Sequence, residues 1–322
     1  MTLTGAERKL PEQAAEPLQM SAADLSALPR RHRLSIGRTL SAIAVLAVLG
    51  LICLSVANAH FDWGVVSQYL TQGEILSGVE RTCILTVIAM ALGLALGTLG
   101  GVCRLSSNRV VSSSAWLYVW FFRGTPILVQ LLLWFNLALI FPSISIPGII
   151  HEPMNSFMSP LMAATLGLGV NEGAYMSEII RGGILAVDPG QREAAMTLGA
   201  SSGHMYRRII LPQTLRIILP TLGNETIGML KFTSLASIVS YAELLETSQQ
   251  IYEVTTKVME LLIVASIWYL ILTSVLTFGQ YYLERYCGRS QQHGRPRALV
   301  EQWIMNGVTR LVERRRARRA VL

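Results

Sequence analysis

Residues 193–199 have the sequence EAAMTLG, and residues 209–212 have the sequence IILP. They lie in a polar segment, residues 185–213, set between long apolar runs. Asp188 is a good N-cap because its side chain can accept a hydrogen bond from the first helical turn. Gly199 then ends this helix, since glycine enters the left-handed conformation without strain. The pattern predicts two short helices joined at a glycine, an element that suits docking against another protein.

The apolar runs place the chain among membrane proteins. Of its 322 residues, 52% are apolar and only 15% are charged, which is too apolar a balance for a soluble domain of this size. A membrane-spanning helix needs about 20 apolar residues. The hydropathy pattern predicts six spans, at residues 40–59, 82–102, 116–141, 157–170 with an extension toward 180, 219–240 and 261–282.

Positive charge is distributed unevenly among the predicted loops. Of the 27 Lys and Arg residues, only Arg81 and Lys257 fall near the loops that we place outside the cell. Ten arginines follow the last span. Because cytoplasmic loops carry the excess of Lys and Arg, both termini and the polar segment are predicted to be cytoplasmic. The net charge of +7 then reflects topology, and no nucleic-acid partner is needed to explain it.

The polar segment resembles the cytoplasmic coupling loop of permease subunits of ATP-binding-cassette (ABC) importers. Here, as in that loop, Glu-Ala-Ala is followed by three residues, Gly, nine residues and Ile-x-Leu-Pro. Phe232 departs from the family pattern, which has a small or acidic residue after a lysine. The motifs that narrow the resemblance to polar amino-acid importers are FRGTP (122–126) with Gln130, GAY (173–175) with Glu178, RGGI (181–184), Gly190-Gln191, and Leu230-Lys231 followed by TSL (233–235).

The resemblance covers residues 78 to 285 approximately and implies a fold. It implies an all-α, polytopic protein of the bacterial cytoplasmic (inner) membrane, with both termini cytoplasmic. Residues 76–285 would form the five-helix core of a type I ABC permease, with the coupling loop at 185–213. Residues 39–60 would add one N-terminal transmembrane anchor.

The two tails fall outside the resemblance. Residues 1–38 are polar and show no sustained periodicity, which predicts a disordered cytoplasmic tail. Residues 286–322 form a basic cytoplasmic tail, whose apolar stripe favours a helix on the membrane surface over a solvated tail. The sequence Ala57-Asn58-Ala59 is similar to a signal-peptidase site, but the long leading segment favours an uncleaved anchor.

The resemblance also assigns roles to individual residues. Gly124 and Pro126 would break the third span, because proline removes a backbone donor and clashes with the previous turn; a hinge near the inner gate and a purely structural kink both remain open. The ATPase-coupling residues would be Gln191, Glu193, Ala194, Ala195, Gly199, Leu211 and Pro212. The candidate residues of the translocation path are Thr125, Asn171, Glu172, Tyr175, Asn224, Glu225, Lys231 and Ser234.

Several of these polar residues have a structural alternative. A charged group at mid-membrane costs about 2.5–3.5 kcal/mol, so it normally faces protein or water. For Lys231, path lining and an interhelical salt bridge are equally open. Glu178 lies three residues before Arg181, and we expect these two to pair structurally. Gly93, Gly97 and Gly101 share one helix face, which predicts close packing against another helix.

The function implied by the resemblance is that of a permease subunit of an ATP-driven importer for polar amino acids or related small molecules. Its partners would be two ABC ATPase subunits, a second permease subunit, an extracytoplasmic substrate-binding protein and the lipid bilayer. The chain has no Gly-x-x-x-x-Gly-Lys-Ser/Thr run, so it has no phosphate-binding loop of its own. We therefore expect no enzyme activity and no cofactor or metal in this chain, with ATP and Mg bound by the partner ATPase.

Two other classes of protein compete with this interpretation. A secondary transporter driven by an ion gradient is compatible with Glu178, Glu225 and Lys231, since such proteins also use broken helices. It would leave the polar segment without a purpose, and the chain shows no clear internal repeat. A membrane-embedded hydrolase would need a paired Asp, a Ser/Lys or Ser/His set, or a His-Glu-x-x-His helix, and none is evident. The sequence does not identify which amino acid is carried.

Overall fold

The computed structural model describes residues 36–57, 62–146 and 150–288. The predicted tails, up to residue 35 and from residue 289, lie outside the described residues, as does the end of the signal-peptidase-like sequence. The chain divides into two compact units, residues 1–60 and 61–322. The first contains α1 (Ile36–Ala57), a single apolar helix over most of the predicted anchor.

The second unit is mostly helical, in agreement with the predicted class. Its helices differ greatly in length, and short 3-10 and π-helical turns join several of them. In chain order the elements are α2 (Trp63–Leu70), α3 (Gly73–Arg104), α4 (Arg109–Gly124), α5 (Ile127–Phe135), a 3-10 turn (Leu137–Leu139), β1 (Ser143–Ile146), β2 (Ile150–Pro153), α6 (Met154–Phe157), α7 (Pro160–Leu185), α8 (Pro189–Thr197), α9 (Ser202–Met205), a π-helical turn (Tyr206–Ile210), α10 (Leu211–Phe232), a 3-10 helix (Thr233–Val239), α11 (Leu244–Thr255) and α12 (Val258–Gly288).

A short antiparallel hairpin interrupts the helices, and the all-α prediction missed it. Strands β1 and β2 pair from Ser143 opposite Pro153 to Ile146 opposite Ile150. The alternation Ser-Ile-Ser-Ile followed by Pro-Gly is a hairpin signal. The hairpin lies entirely between the predicted spans 116–141 and 157–170, where no strand is predicted.

Helices α3 and α7 pack closely along their glycines, which confirms the predicted glycine face. A Cβ on Gly101 would lie only 2.9 Å from the Ser177 carbonyl oxygen, so no larger residue fits. Residue numbers rise in the same direction on both sides of the contact, which makes the two helices parallel. The pairs are Gly93 with Gly169 and Glu172, Gly97 with Gly173 and Met176, Gly100 with Ser177, and Gly101 with Ser177 and Ile180.

The predicted third span, residues 116–141, is not one straight helix. Helices α4 and α5 meet at an angle of 102°, and the break falls at Thr125, between the Gly124 and Pro126 that the sequence indicated. Thr125 ends α4 with an extended backbone, and Pro126 precedes the first residue of α5. The location of the break was therefore predicted correctly, and the structure adds its angle.

Not every predicted span passes a test of length and composition. Among the described residues, α3 and α12 are long and apolar enough to cross a membrane, and the bent pair α4–α5 makes a third span if it is counted as one. Helices α7 and α10 are long enough but carry charged residues, including Glu172 and Lys231. The count of six spans remains a prediction.

The start of α3 lies at the end of the unit opposite the polar segment, because α3 and α7 are parallel and α7 leads into that segment. At this far end, Glu243 is fully buried and caps α11 by accepting hydrogen bonds from the backbone N–H groups of Leu245 and Glu246, both at 2.9 Å. The Tyr269 hydroxyl also donates to it at 2.6 Å. Burial raises the pKa of this carboxyl group, while the three donors act in the opposite direction. Glu243 thereby joins α11 to α12.

Candidate translocation path and polar segment

The polar segment folds as its sequence indicates. Asp188 Oδ1 accepts a hydrogen bond from Gly190 N at 2.7 Å, and Pro189 begins α8. Gly199 has a φ of 72°, the left-handed conformation that favours glycine. Ser201 caps α9, and the chain then passes through the π-helical turn into α10. The cap and the glycine turn are thus confirmed.

A small apolar core holds the two halves of the polar segment together. Ala195 is only 3% exposed and packs in a cluster with Val187, Met205 and Ile210. Arg192 adds a cation–π contact, with its Cζ 5.7 Å from the centre of the Tyr206 ring. Of the predicted coupling residues, Ala195 therefore supports the segment from inside and does not lie on its surface. Those that are exposed are Gln191, Glu193, Ala194, Gly199, Leu211 and Pro212.

The most exposed apolar side chain of the polar segment was missed by the sequence analysis. Leu198 is 86% exposed and Met196 is 55% exposed. Both lie beside Gly199 at the end of α8, and neither is among the predicted coupling residues. Large apolar side chains this exposed at the end of a helix are available for contact with another protein. The sequence does show two large apolar residues, Met196 and Leu198, in an otherwise polar segment, and this pattern could have indicated an exposed contact surface.

A group of polar side chains closes the break between α4 and α5, and we name it the break clasp (Thr125, Gln130, Asn171 and the Phe122 carbonyl). Asn171 Nδ2 donates to Phe122 O at 2.7 Å and to Gln130 Oε1 at 3.2 Å. Gln130 Nε2 donates to Phe122 O at 3.0 Å and to Thr125 Oγ1 at 2.6 Å. Asn171 and Gln130 are both buried. Asn171 and Thr125, predicted to line the path, are therefore occupied in holding the break.

Replacing Asn171 with leucine is expected to destabilise the protein. The change removes the Asn171 donor and leaves the buried Gln130 Oε1 without a partner, which costs about 1–3 kcal/mol. The Phe122 carbonyl keeps its hydrogen bond from Gln130 Nε2. For a chain of this size the unfolding temperature should fall by about 2–4 °C per kcal/mol, as measured by thermal unfolding in detergent. The matched change at the exposed Asn224 should leave that temperature unaltered. Equal losses in both variants would contradict the role of the break clasp.

Two further residues on the same face of α7 also contact neighbouring helices. Tyr175 is partly exposed, and the Arg123 guanidinium lies over its ring, with Cζ 4.9 Å from the centre. Glu178 pairs with Arg181 at 2.7 Å, as predicted, and also with Arg104 at 3.2 Å. The second ion pair joins the end of α3 to α7. It spans 74 positions of sequence, so spacing rules on one helix could not reveal it.

Glu172 and Glu225 form the acidic part of the candidate path. Glu172 is only 5% exposed, and its Oε1 atom has no hydrogen-bond partner among the described residues. Glu225 on α10 is half-buried. The helices that carry the two acids, α7 and α10, pack against each other. A buried acid with a free oxygen beside a second acid is a site that a cation would neutralise.

The remaining predicted path residues lie on or just after α10. Asn224 and Lys231 are exposed, and they share one helix face with Gly228 between them. Ser234 is half-buried and donates to the Lys231 carbonyl at 2.7 Å. Lys231 forms no salt bridge within the described residues. A polar face on a helix of a membrane protein has to meet water or another protein.

The described residues offer no group of three or more His, Cys, Asp or Glu side chains that could hold a metal ion. The candidate site consists of three parts. They are the break between α4 and α5 with its break clasp, the acids Glu172 and Glu225, and the polar segment with the exposed Leu198 and Met196. This combination of features defines a membrane transport component.

The chain belongs to the family of binding-protein-dependent transport system inner membrane components, which matches residues 89–287. It is 42% identical over 265 residues to the arginine transport system permease protein ArgU of Corynebacterium glutamicum, covering 81% of this chain and 83% of that one. It is 34% identical to the glutamine transport system permease protein GlnP of Escherichia coli, covering 70% and 97%. The resemblance that the motifs indicated is thus confirmed.

Solved structures agree with this assignment. An amino acid ABC transporter crystallised with histidines is similar to the chain with a TM-score of 0.62 and 34% identity, over 71% of this chain and all of that one. The inward-facing MetNI methionine ABC transporter matches with a TM-score of 0.52 and 17% identity over 66% and 95%. At this lower identity the similarity concerns the fold alone. The second unit therefore has the fold of a type I ABC permease.

Proposed function

We propose that the chain is the permease subunit of an ATP-driven importer for a cationic amino acid such as arginine. The observation that carries the substrate class is the buried Glu172 carboxyl group with its unpartnered oxygen, placed beside Glu225. A guanidinium or ammonium group between these acids would remove their repulsion and satisfy the free oxygen. The arginine permease among the relatives supports this choice.

In this proposal the path is formed between two permease subunits. The exposed polar face of α10 supports this arrangement, because Asn224 and Lys231 would then face the path or the partner subunit and not lipid. A soluble binding protein would deliver the amino acid at the start of α3. The polar segment would lie at the opposite, cytoplasmic end, in keeping with the distribution of Lys and Arg.

The polar segment would dock on a separate ATPase subunit. Leu198 and Met196 supply an apolar contact, and the buried Ala195 cluster keeps the segment rigid. When ATP closes the ATPase dimer, the segment would follow and carry α7 and α10 with it. Differential binding of ATP to the two states of the ATPase supplies the energy, as any ligand-driven shift requires. This chain performs no covalent step.

Replacing Glu172 with glutamine is expected to reduce ATP-driven arginine uptake at least tenfold in proteoliposomes that contain the complete importer. The amide removes the charge that attracts the cation while keeping the size of the side chain. ATP hydrolysis stimulated by the binding protein should persist, because the polar segment is unaltered. Uptake at the wild-type rate would contradict the substrate site.

The matched control for this experiment is Glu80→Gln, which alters an exposed acid on α3. We expect it to keep the wild-type uptake. The energy source is tested in the same vesicles. Uptake should stop when ATP is omitted and continue when a proton uncoupler is added, and the reverse result would indicate a secondary transporter.

A further inference from the structure

A cavity of about 560 Å³ opens at the end of the unit opposite the polar segment. Residues of α2, α3 and α11 line it, and its walls include Gln72, Glu74, Arg81, Thr247 and Gln250. Its volume is within the range of small-molecule sites in proteins, about 300–1,000 Å³. Nothing in the path described above uses it, since Glu172 lies farther along the membrane region.

One wall of the cavity is rigid. Gly78 of α3 faces the backbone of α11, where a Cβ would lie 3.0 Å from Leu244 Cα. Thr82 Oγ1 accepts a hydrogen bond from Leu244 N at 3.1 Å. The capped start of α11 is therefore held against α3, and the cavity does not depend on the orientation of a loose loop.

The two charged side chains that line the cavity lie far apart. Glu74 and Arg81 are seven residues apart on α3, which corresponds to about 10 Å along the helix and nearly the same face. Arg81 Nη1 donates to the Ala242 carbonyl at 3.2 Å, so the guanidinium is anchored but keeps further donors. Neither side chain forms a salt bridge within the described residues. The cavity thus presents a negative and a positive group too far apart to neutralise each other.

Polar side chains without charge also line the cavity. Gln250 Nε2 donates to Glu246 at 3.0 Å, which fixes the amide in place. Gln72 contributes an oxygen that is buried and has no hydrogen-bond partner in the described structure. The lining therefore suits a polar, elongated solute with opposite charges at its two ends.

We propose that this cavity is a second binding site, outside the membrane path, for an amino acid with a cationic side chain. The α-carboxylate would pair with Arg81, and the side-chain cation would pair with Glu74. This inference rests on the proposed function for the identity of the solute. Its role would be to retain the amino acid between release from the binding protein and entry into the path.

The test measures binding of radiolabelled L-arginine to the permease–ATPase complex in lipid nanodiscs, without the binding protein. The Glu172→Gln variant removes the path site, so the binding that remains reports the cavity. Unlabelled agmatine, which lacks the carboxylate, and citrulline, which lacks the side-chain charge, serve as competitors. Glu80→Gln, an exposed change on the same helix that does not line the cavity, is the control.

In the Glu172→Gln background we expect Arg81→Gln to weaken arginine binding three- to tenfold and to leave competition by agmatine unaltered. Glu74→Gln should weaken arginine and agmatine to a similar extent and leave citrulline unaltered. Loss of all binding in Glu172→Gln alone would overturn the second site. A second result would also overturn it. If Arg81→Gln abolished docking of the binding protein but left arginine binding unchanged, the cavity would be a contact site for that protein.

The two proposals can fail separately. ATP-driven uptake of arginine by the wild-type importer tests the function, and it does not require the cavity to bind anything. If uptake is observed but the Glu172→Gln complex binds no arginine, only the second site is rejected. If the wild-type importer takes up no cationic amino acid, the substrate class itself is rejected.

Discussion

Replacing Gly199 with valine is expected to abolish ATP-driven uptake while the full-length chain stays in the membrane. Gly199 has a φ of 72° and open space around it, so the effect comes from the backbone and not from a clash. A residue with a Cβ pays about 1–2 kcal/mol in this conformation, and a β-branched one more. The chain would relax by turning Leu198 and the end of α8 away from the ATPase. Uptake is measured in vesicles, with an immunoblot for the amount of permease.

Gly203 offers a matched control within the polar segment, because it also has open space around it but has no positive φ. Gly203→Ala should retain most of the uptake.

Leu198→Asp tests the surface directly, since this side chain is exposed and its replacement leaves the fold intact; we expect a loss of uptake of at least tenfold. Glu193→Lys should abolish uptake in the same way. Normal stimulation of ATP hydrolysis by the binding protein in an assembled Gly199→Val complex would refute the coupling role.

Replacing Gly97 with valine is expected to prevent stable folding of the permease. A Cβ at this position would collide with Met176 Cβ and would lie 3.1 Å from the Met176 carbonyl carbon and 3.2 Å from the Gly173 carbonyl oxygen. Two backbones would have to separate, so the cost should reach the upper end of the roughly 1–3 kcal/mol that overpacking causes. Size-exclusion chromatography of the solubilised protein should show aggregation, and any folded fraction should unfold at a lower temperature.

Ala95→Val is the control for the second prediction. It adds a β-branched side chain to the exposed face of the same helix, two residues away. A folded, monodisperse protein is expected, with little change in unfolding temperature. A Gly97→Val protein as stable as this control would mean that α3 and α7 do not pack as described.

Local features of the sequence predicted much of this structure. The N-cap at Asp188, the left-handed Gly199 and the pair of Glu178 with Arg181 each follow from rules that act within one or two turns of a helix. The break beside Pro126 has a similar local cause. Such features depend on nearby residues alone, so no knowledge of the fold was needed to find them.

Features that join distant parts of the chain escaped the sequence analysis. Asn171 meets Gln130 across 41 positions, and its position on one face of a helix gave no indication of this contact. Arg104 reaches Glu178 only because α3 and α7 are parallel and in contact. Ala195 is buried by a neighbouring turn, although its sequence context suggested an exposed docking surface. In each case the deciding neighbour is set by helix packing, which periodicity on a single helix does not encode.

The polar segment is continuous with α7 at one end and with α10, through the π-helical turn, at the other. Glu172 and Glu225 lie on these two helices, each about 20 Å along its axis from the segment. A movement of the polar segment would therefore move both helices at once and change the distance between the two carboxyl groups. A larger distance between the carboxyl groups would weaken the binding of a cation between them. The acid pair would then release the bound amino acid as the helices move.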